Sequence, residues 1–538
     1  MPPVVAIIVV AAIATAQTIY AITSRNWRLL FTGGFEFLAG LLSPKPKAPR
    51  PQGRDITVRQ PDAFWQIVYG EMRVGGVLGF LHLAGSKNEF LYAVVLLCYG
   101  GPDGIESIDK IFFGNEEATF DGAGAATGKY AGYATLEKNL GTDGQAASPL
   151  LLADLPGVWL STDKFSGHAY IVLKLKHNPD LFSDFTTESI RVQLKGRKEL
   201  DPRTGSTAYS NNPVLLGRGF LVNTRFGLGA TTTDFEDAGN NAAANICDEL
   251  VNLKAGGTEK RYTLNGAFLT DADPGRVLDE MRRTMAGAVT NSAGSWLMRA
   301  AAWRPPMVVL DDDDMVGPPR IQMALGRQTL VSGVKGTFVE TTHWQPTSYP
   351  AQAPADYLTD DGNVRLWGTL DFAFVTSAAQ AQRLARIELE RTRRQKRIMV
   401  ACKLLAWQLL PGDTFQFTHA RFNKDANDRA WTEKTFFVER VEFVMQQDEQ
   451  GGTVPVVNIH AREENAGVYY WNPAAMETTF TAPPSGTFPD SSNAGQAAGA
   501  ANLAVWGGFT YRPTSNPLTA TDAGASATVS VAAFTMRV

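Results

Sequence analysis

The sequence predicts an α+β, β-rich protein built from several domains. Its 538 residues exceed the usual length of one domain, about 100–200 residues, so about three to five folded units are expected. The 50 glycines and 29 prolines are spread along the chain and favour short strands and turns over long helices. The net charge of -4 argues against a general nucleic-acid-binding protein, which would usually be basic.

Residues 1–43 are predicted to form apolar helices. Residues 1–24 contain no charged side chain, which is enough chain for a helix of about 20 residues to span a bilayer. Three interpretations stay open: a plug of bundled helices inside an oligomer, a membrane segment, or a signal peptide. Ala14-Thr15-Ala16 resembles a cleavage site, but no Lys or Arg precedes the apolar run. The following Pro- and Lys-rich stretch predicts an extended linker over residues 44–60, either solvated or touching DNA or lipid headgroups.

From Asp62 the pattern becomes that of strands. The apolar run Phe90–Cys98 is followed by a Gly-Pro-Asp-Gly turn, and a further strand is expected at Ile108–Phe113. Phe120–Leu150 is rich in Gly and Ala and has few large apolar residues, so we expect an exposed loop or insertion there. The strand pattern returns within Leu160–Phe182.

Two helices are predicted near the middle of the chain. The first lies within Phe235–Lys254, and its apolar side consists of Ala242, Ala243, Ile246, Leu250 and Leu253. The second begins at Pro274, whose missing N–H is harmless in the first turn, with Asp273 as its cap. Strands from Trp296 and at Met307–Leu310 would then place this helix against a hairpin.

A third helix is predicted after a strand at Phe372–Val375, with Thr376 or Ser377 as its cap. Its apolar face consists of Ala381, Leu384, Ala385 and Ile387, and its other sides carry Arg383, Arg386, Arg393 and Arg394. The helix ends in the basic run Arg391–Arg397. This run could contact DNA, but a solvated basic end that complements the helix dipole is the simpler interpretation.

Strands and a linker are predicted for the rest of the chain. Leu409–Asp413 is expected to form a tight turn into a strand, and Pro483–Ala500 has the composition of a linker. Further strands are predicted at Thr435–Val444, Thr453–Ala461, Ala527–Val531 and Phe534–Val538. Because the sequence stops within a strand, we expect the natural polypeptide to be longer.

No catalytic, cofactor-binding or metal-binding residues are predicted. The sequence lacks GxSxG, HExxH and Walker motifs, and its histidines are scattered, at His82, His168, His177, His343, His419 and His460. A zinc pair of His168 and His177 would have no further ligands nearby in sequence. Asp311–Asp314 could hold a hard cation, but an acidic turn or helix start explains the run more simply.

The remaining candidate side chains also have ordinary explanations. Glu116-Glu117 and Glu463-Glu464 are adjacent in sequence, which says nothing about the separation of about 5–9 Å found in glycosidases. Cys98, Cys247 and Cys402 lie far apart among apolar neighbours and are predicted to be small buried hydrophobic residues. We therefore expect a protein without enzymatic activity.

Several stretches resemble the central tail-tip (tip attachment, J-like) proteins of phages with long non-contractile tails. The resemblance begins at Leu269–Trp303 (LTDADPGRVLDEMRRTMAGAVTNSAGSWLMRAAAW) and extends over most of Asp62–Ala474. The other stretches, in family order, are Tyr69–Gly76, Ile108–Glu116, Asn212–Gly229, Leu366–Thr418 and Gly467–Ala474.

The resemblance implies phage tail-hub β-barrel domains with an inserted helix/hairpin domain. The expected divisions are 1–43, apolar helices; 44–60, linker; 61–262, β-rich hub domains; 263–345, helix plus hairpin; 346–480, hub domain with the basic helix and barrel strands; and 481–538, linker and start of a C-terminal β-sandwich (fibronectin III-like) module.

The resemblance also implies a structural virion protein at the distal end of the tail, made in the host cytoplasm. Such a hub is a homotrimer that closes the tail tube, carries the central fibre and takes part in host attachment and DNA ejection. Its expected partners are the distal tail protein and other tip proteins, the C-terminal end of the tape measure protein, a host receptor through the C-terminal region, and a host membrane through residues 1–42. DNA would pass through its lumen without sequence-specific binding.

Two alternatives to this function stay open. One is a tail-tip hydrolase of cell wall or polysaccharide, and the other is a bacterial membrane-anchored adhesin with β-modules. The first requires carboxylates or a Ser/His pair that converge in a cleft. The second requires the N-terminal segment to anchor in a bilayer.

Overall fold

The computed structural model describes residues 53–482 and four strands within residues 504–529. The exceptions within these ranges are 55, 60–61, 183–188, 293, 325, 327–329, 420–430, 448–452, 507–508, 513–517 and 523–524. The chain forms two compact units, one ending at Phe480 and one beginning at Thr481. The predicted apolar helices of residues 1–43, most of the linker and the strand Phe534–Val538 lie outside the described residues. Within the described part, no helix is long and apolar enough to cross a membrane.

The first unit begins with two antiparallel sheets packed face to face. The elements of this region are β1 (Gln66–Tyr69), which pairs with a later strand at Gly266–Leu269, β2 (Glu71–Val74), β3 (Val77–Ala84), β4 (Phe90–Tyr99), β5 (Ile105–Phe113), β6 (Glu116–Ala118), β7 (Ala134–Asn139), α1 (Pro149–Asp154), β8 (His168–Lys176), β9 (Ile190–Asp201) and β10 (Ser206–Tyr209). One sheet has the order β3-β4-β8-β7, and the other has the order β10-β9-β5-β6 with β2 also paired to β9. Alternating side chains such as Val95 and Leu173 from one sheet and Ile108 and Val192 from the other share one buried core.

The prediction of an exposed loop at Phe120–Leu150 is right for much of residues 121–133 and 140–148 and wrong for the rest. This stretch contains β7, which pairs with β8, and Leu136 and Tyr130 are buried in the sandwich core. The Tyr130 ring packs against Phe113 with 5.1 Å between centroids. Small side chains do not by themselves indicate exposure, because they also let the backbone approach a core closely, as Ala126 and Ala134 do here.

Helices and short hairpins form the centre of the first unit. Their elements are α2 (Pro213–Val222), α3 (Asp237–Asp248), β11 (Leu250–Asn252), β12 (Thr258–Lys260), β13 (Gly266–Leu269), α4 (Pro274–Arg283), β14 (Ala288–Ser292) and β15 (Ser295–Arg299). The predicted start of α4 is confirmed, because the Asp273 carboxylate accepts a hydrogen bond of 2.9 Å from the Gly275 N–H. Val277, Leu278 and Met281 are buried, as their spacing predicted.

The hairpin beside α4 differs from the prediction in its strands. β14 pairs with β15 through a turn at Gly294, so the first strand precedes Trp296. The strand predicted at Met307–Leu310 exists only as Val309–Leu310, and it pairs in parallel with a strand of another sheet. The sequence of β14 is too polar to predict a strand, so the first strand of the hairpin is not predicted. After the hairpin, Pro305-Pro306 prevents a further strand from pairing with it.

Helix α3 lies within the predicted range Phe235–Lys254, but only part of its predicted apolar side is buried. Leu250, expected on the apolar side, is 68% exposed and belongs to β11. The buried residues of α3 are Asn240, Ala243, Ala244 and Cys247. A polar residue is therefore part of the packed face, which a search for apolar periodicity cannot find.

A six-stranded sheet with its own core completes the first unit. The elements of this region are β16 (Val309–Leu310), β17 (Arg320–Gln322), β18 (Gly333–Lys335), β19 (Thr337–Glu340), β20 (Gln345–Ser348), α5 (Ala355–Asp360), β21 (Trp367–Thr369), α6 (Ala378–Arg393), β22 (Arg397–Cys402), β23 (Thr414–Phe417), β24 (Lys434–Gln447), β25 (Thr453–Glu463) and α7 (Pro473–Met476). The sheet order is β16-β23-β24-β25-β22-β17. Phe415, Phe417, Trp431 and Phe436 are buried together in its core. The strands predicted near Thr435 and Thr453 and the cap of α6 at Ser377 are confirmed.

The strand predicted at Phe372–Val375 is absent. Phe372, Phe374 and Val375 are buried as expected, but their backbone hydrogen bonds go to separate segments. The Phe372 N–H donates to Thr337, and the Phe374 carbonyl accepts from Asn265. An extended segment that divides its hydrogen bonds in this way buries its apolar side chains without forming a regular ladder.

The second unit contains a four-stranded antiparallel meander. Its strands are β26 (Ala504–Trp506), β27 (Phe509–Arg512), β28 (Leu518–Asp522) and β29 (Ala525–Val529), paired in this order. β29 overlaps the predicted strand Ala527–Val531. The fibronectin III-like module stays a prediction.

Candidate assembly surfaces

The histidines and cysteines do not form a chemical site in the described part of the chain. No group of three or more His, Cys, Asp and Glu side chains there is arranged to hold a metal. His168 and His177 lie at opposite ends of β8, about 30 Å apart at about 3.3 Å per residue. The three cysteines are free and buried, as predicted, and burial raises the pKa of Cys98 and of Cys402 to about 12. These thiols are therefore protonated and unsuited to nucleophilic attack at neutral pH.

The aspartate run starts a short 3₁₀ helix, in agreement with the simpler interpretation. The Asp311 carboxylate accepts from the Asp313 N–H at 2.9 Å, and the Asp314 carboxylate accepts from the Asp311 N–H at 3.1 Å. This reciprocal capping uses the carboxylates to satisfy backbone donors. Asp312 also contacts His419, with 2.5 Å between Oδ1 and Nδ1.

The adjacent glutamates have separate basic partners. Glu116 binds Lys129 at 2.5 Å, whereas Glu117 binds Lys110 at 2.9 Å. Likewise, Glu463 binds Lys434 at 2.6 Å and Glu464 binds Arg462 at 3.4 Å. The two carboxylates of each pair therefore bind different cations. They are not placed as the acid and the base on either side of a substrate.

The prediction of a solvated basic helix is wrong for α6. Arg383 is only 3% exposed and binds Glu259 at 2.7 Å. Farther along the helix, Arg391 binds Glu388 at 2.6 Å, and other arginines bind Asp361 and Glu390. Long side chains can place their charges beside carboxylates from distant segments, so an arginine-rich face need not be the solvent face. These charges are balanced inside the protein.

The outer half of β24 forms an open sheet edge. β23 pairs with β24 only from Lys434 to Phe437, and a bulge follows between Val438 and Arg440. From Arg440 to Gln447 the strand pairs with β25 alone, and no described residue pairs with its other side through the backbone. Alternate N–H and C=O groups of this stretch therefore point away from the sheet. Such an edge is a template for another strand.

The same region carries an exposed apolar surface, which we call the apolar shelf. It consists of Leu404, Leu405, Trp407, Phe443 and Met445, each between 48 and 59% exposed. Phe443 and Met445 continue the face of β24 that packs on the core, beyond the end of that core. The Trp407 ring meets Phe443 edge-on, with 5.3 Å between centroids. Contiguous apolar surface of this kind marks a site of interaction.

A second open edge lies on the first sandwich. β3 is the outermost strand of its sheet, and only its first residues pair on the outer side, with Val58. From Gly79 to Ala84 no described residue pairs with that side through the backbone. Phe80 packs inward on Trp159, whereas the alternate residues of the strand expose their side chains. Both the edge of β3 and the edge of β24 combine exposed apolar side chains with backbone groups that no described residue pairs.

The middle of the chain has relatives among known proteins. Residues 273–432 match a family described as "Putative phage tail protein". This part of the chain is similar to phage tail proteins. The match begins at the cap of α4, includes α6 and ends just before β24. No curated protein matches the sequence.

Solved structures add a likeness in fold. One chain of the virion of the native gene transfer agent (GTA) particle has a TM-score of 0.55 and 12% identity, covering 84% of this chain and 97% of that chain. The 43 kDa tail protein of prophage MuSo2 from Shewanella oneidensis has a TM-score of 0.24 and 10% identity, covering 74% and 96%. Prophage tail protein gp18 from Listeria monocytogenes EGD-e has a TM-score of 0.25 and 11% identity, covering 77% and 92%.

The likeness to the GTA virion chain shows a shared fold. The other two structures are too distant for any conclusion about this chain. The family match supports a relation to phage tail proteins for residues 273–432, and the likeness to the GTA virion chain adds a shared fold. Neither open edge was found from the sequence. The length of β24 could have indicated its open edge, because this strand is longer than the neighbouring strands that the sequence predicts.

Proposed function

We propose that this chain is the trimeric hub that closes the distal end of a phage tail tube. In this role it carries the central fibre and takes part in host attachment and DNA ejection. The observation that supports the proposal most is that one chain has two open sheet edges, Gly79–Ala84 and Arg440–Gln447, each beside exposed apolar side chains. A monomeric protein would usually protect such edges, whereas an assembling protein uses them.

Two unlike edges on one chain suit a closed ring. In the proposed trimer, the β24 edge of each copy pairs with the β3 edge of the next copy, which is a head-to-tail contact. Three copies then supply six sheet edges around one axis, in keeping with a six-fold tube above and a three-fold fibre below. The apolar shelf would be buried in the same contact, as expected for an obligate interface.

The proposal also names binding partners and assigns no catalytic activity to the protein. The hub would bind the distal tail protein, other tip proteins and the C-terminal end of the tape measure protein, with its C-terminal region directed to a host receptor. Residues 1–42 would plug the lumen and later enter a host membrane, and DNA would pass without sequence-specific binding. We assign no catalytic role and no cofactor, because the candidate side chains of the described part are engaged in structural contacts.

The mass of the protein in solution tests assembly. The full chain and a chain lacking residues 1–53 are both expected to be trimers, because the proposed contacts lie after residue 53. Light scattering coupled to size exclusion measures both masses. Monomers in both forms, or a trimer only in the full chain, would contradict assembly through the sheet edges.

Edge variants provide a sharper version of the test. Leu83→Lys and Met445→Lys place a charge at the proposed contacts and are expected to shift the trimer towards monomer at least tenfold. Both side chains are about half exposed, so the monomer should fold normally. Leu250→Lys is the control, since it changes an exposed leucine of the two-stranded sheet β11–β12. Equal masses for all three variants would refute the assigned contacts.

A further inference from the structure

A small cavity lies where the β14–β15 hairpin, helix α6 and the six-stranded sheet meet. Its volume is about 20 Å³, enough for one particle the size of a water molecule. Three arginines from three segments line it: Arg299 of β15, Arg304 of the following loop and Arg391 of α6. The turn before β23 also lines it, through Gly412. A side chain at Gly412 would collide with Arg299, since an added Cβ would lie 2.9 Å from its Cδ.

The arginines around this cavity have donors without acceptors. The Nε–H groups of Arg299 and Arg391 are buried, and neither has a hydrogen-bond partner among the described residues. Arg304 reaches the carbonyl oxygens of Gly412 and Ala300 only at 3.4 and 3.5 Å, the outer limit for a hydrogen bond. Buried donors are nearly always satisfied in native proteins, so three incompletely satisfied guanidinium groups around one cavity indicate an acceptor within it.

The charges around the cavity are unequal. Arg299 binds Asp413 at 2.5 Å, and Arg391 binds Glu388 at 2.6 Å. Arg304 forms no ion pair with a described carboxylate, and burial together with repulsion from Arg299 lowers its pKa to about 10. Three arginines therefore adjoin two paired carboxylates, and Glu464, which also attracts Arg391, is itself paired with Arg462. An uncompensated charge is costly in a partly buried site, and a bound anion would remove that cost.

We infer that this cavity binds one small monovalent anion of about the size of chloride. The excess positive charge favours an anion over a water molecule, and the small volume excludes phosphate, sulfate and larger organic anions. Three guanidinium groups would donate to the ion from three directions. Such a site is independent of the hub assembly proposed above, because none of the arginines lies on an open sheet edge.

Binding would join three parts of the fold. The hairpin supplies Arg299, helix α6 supplies Arg391, and the turn at Gly412 leads into β23 of the six-stranded sheet. An anion that contacts these arginines would hold the helical centre against the sheet. Anything that binds only the folded state stabilises it in proportion to the logarithm of its concentration, so the protein should become more heat-resistant as chloride is added.

Crystals of the full chain grown in sodium bromide provide the direct test. Bromide replaces chloride at such sites and is located by its anomalous scattering. The expected result is one anomalous peak in the cavity, within about 3.5 Å of nitrogen atoms of Arg299, Arg304 and Arg391. A water molecule or an empty cavity at this position in bromide would overturn the inference.

A solution test uses matched salts and matched variants. The unfolding temperature of the wild-type protein is expected to be several degrees higher in 200 mM sodium chloride than in sodium gluconate of equal ionic strength, because gluconate is too large to enter. Arg304→Met keeps the length of the side chain and removes its charge, and this variant should lose the chloride-dependent rise. Arg276→Met, which changes an exposed arginine of α4, should keep it. Equal unfolding temperatures of the wild-type protein in both salts, or an undiminished rise in Arg304→Met, would refute the site. Should Arg304→Met fail to fold, the bromide crystals of the wild-type protein decide.

Discussion

Asn240→Ala should loosen the contact between helix α3 and the β14–β15 hairpin. The buried Asn240 amide donates to the Trp296 carbonyl at 3.0 Å, and its carbonyl accepts from the Met298 N–H at 2.7 Å. Each such bond contributes about 1 kcal/mol net, and a buried N–H left without an acceptor costs about 1–3 kcal/mol. The Trp296 carbonyl retains a bond from the Glu236 N–H, so the Met298 N–H bears most of the loss. The expected destabilisation is roughly 2–4 kcal/mol.

The next residue of the same helix provides the control for this prediction. Asn241 is partly exposed, and no described residue hydrogen-bonds the oxygen of its side-chain amide. Asn241→Ala makes the same chemical change and the same gain of about 0.5 kcal/mol in helix propensity, but it breaks no bond to the hairpin. The difference between the two variants therefore isolates the two hydrogen bonds of Asn240.

Amide hydrogen exchange measures this effect locally, which suits a protein of several domains. Exchange in the peptide that contains Ser295–Arg299 should accelerate by roughly 30-fold to 1,000-fold in Asn240→Ala relative to Asn241→Ala, since about 1.4 kcal/mol corresponds to tenfold. In urea unfolding followed by tryptophan fluorescence, Asn240→Ala should likewise be less stable than Asn241→Ala. A difference below about 0.5 kcal/mol between the variants would refute the role assigned to Asn240.

Two further predictions concern a glycine and the cysteines. Gly412 has a φ of 96°, and an added Cβ would lie 2.9 Å from Arg299, so Gly412→Ala should cost roughly 2–4 kcal/mol in urea unfolding. Gly362→Ala, at a φ of 70° with open space around it, should cost only about 1 kcal/mol. For the cysteines, burial raises the pKa of Cys98 and Cys402 to about 12 from an ordinary value of 9.0, so the folded state binds more protons between these values. Their contribution to stability is then complete below pH 9 and is lost as the pH rises towards 12. A thiol reagent at pH 8.5 should modify these residues only when urea is present, and rapid modification of the native protein would contradict their burial.

The features that the sequence predicted correctly depend on neighbouring residues. Asp273 caps α4 and Ser377 caps α6 because a cap requires only the first turn of its own helix. The Asp311–Asp314 turn is local in the same way, since its carboxylates satisfy its own backbone. Composition within a few residues is sufficient for such features.

The features that were missed depend on residues far away in the chain. The sequence predicts Arg383 in solvent because it lies outside the apolar face of its helix, yet Glu259 lies beside it in space. The open edge of β24 could not be predicted, because it exists only where β23 stops pairing, and strand pairing is set by the whole sheet. Asn240 was overlooked for a related reason, since its partners are backbone atoms of a hairpin that begins dozens of residues later.

The bulge in β24 has a consequence for how the sequence of this strand can change. Before the bulge, Phe436 and Val438 face the core, and after it Val441 and Phe443 share that side. Glu439 is the extra residue that shifts the alternation. Loss of this one position would restore the regular alternation, with Arg440 still opposite His460 and with Val441 and Phe443 still on the core side. A single-residue insertion directly after Arg440, by contrast, would turn the residues beyond it over and exchange an apolar surface for a charged one while leaving the rest of the sheet in register.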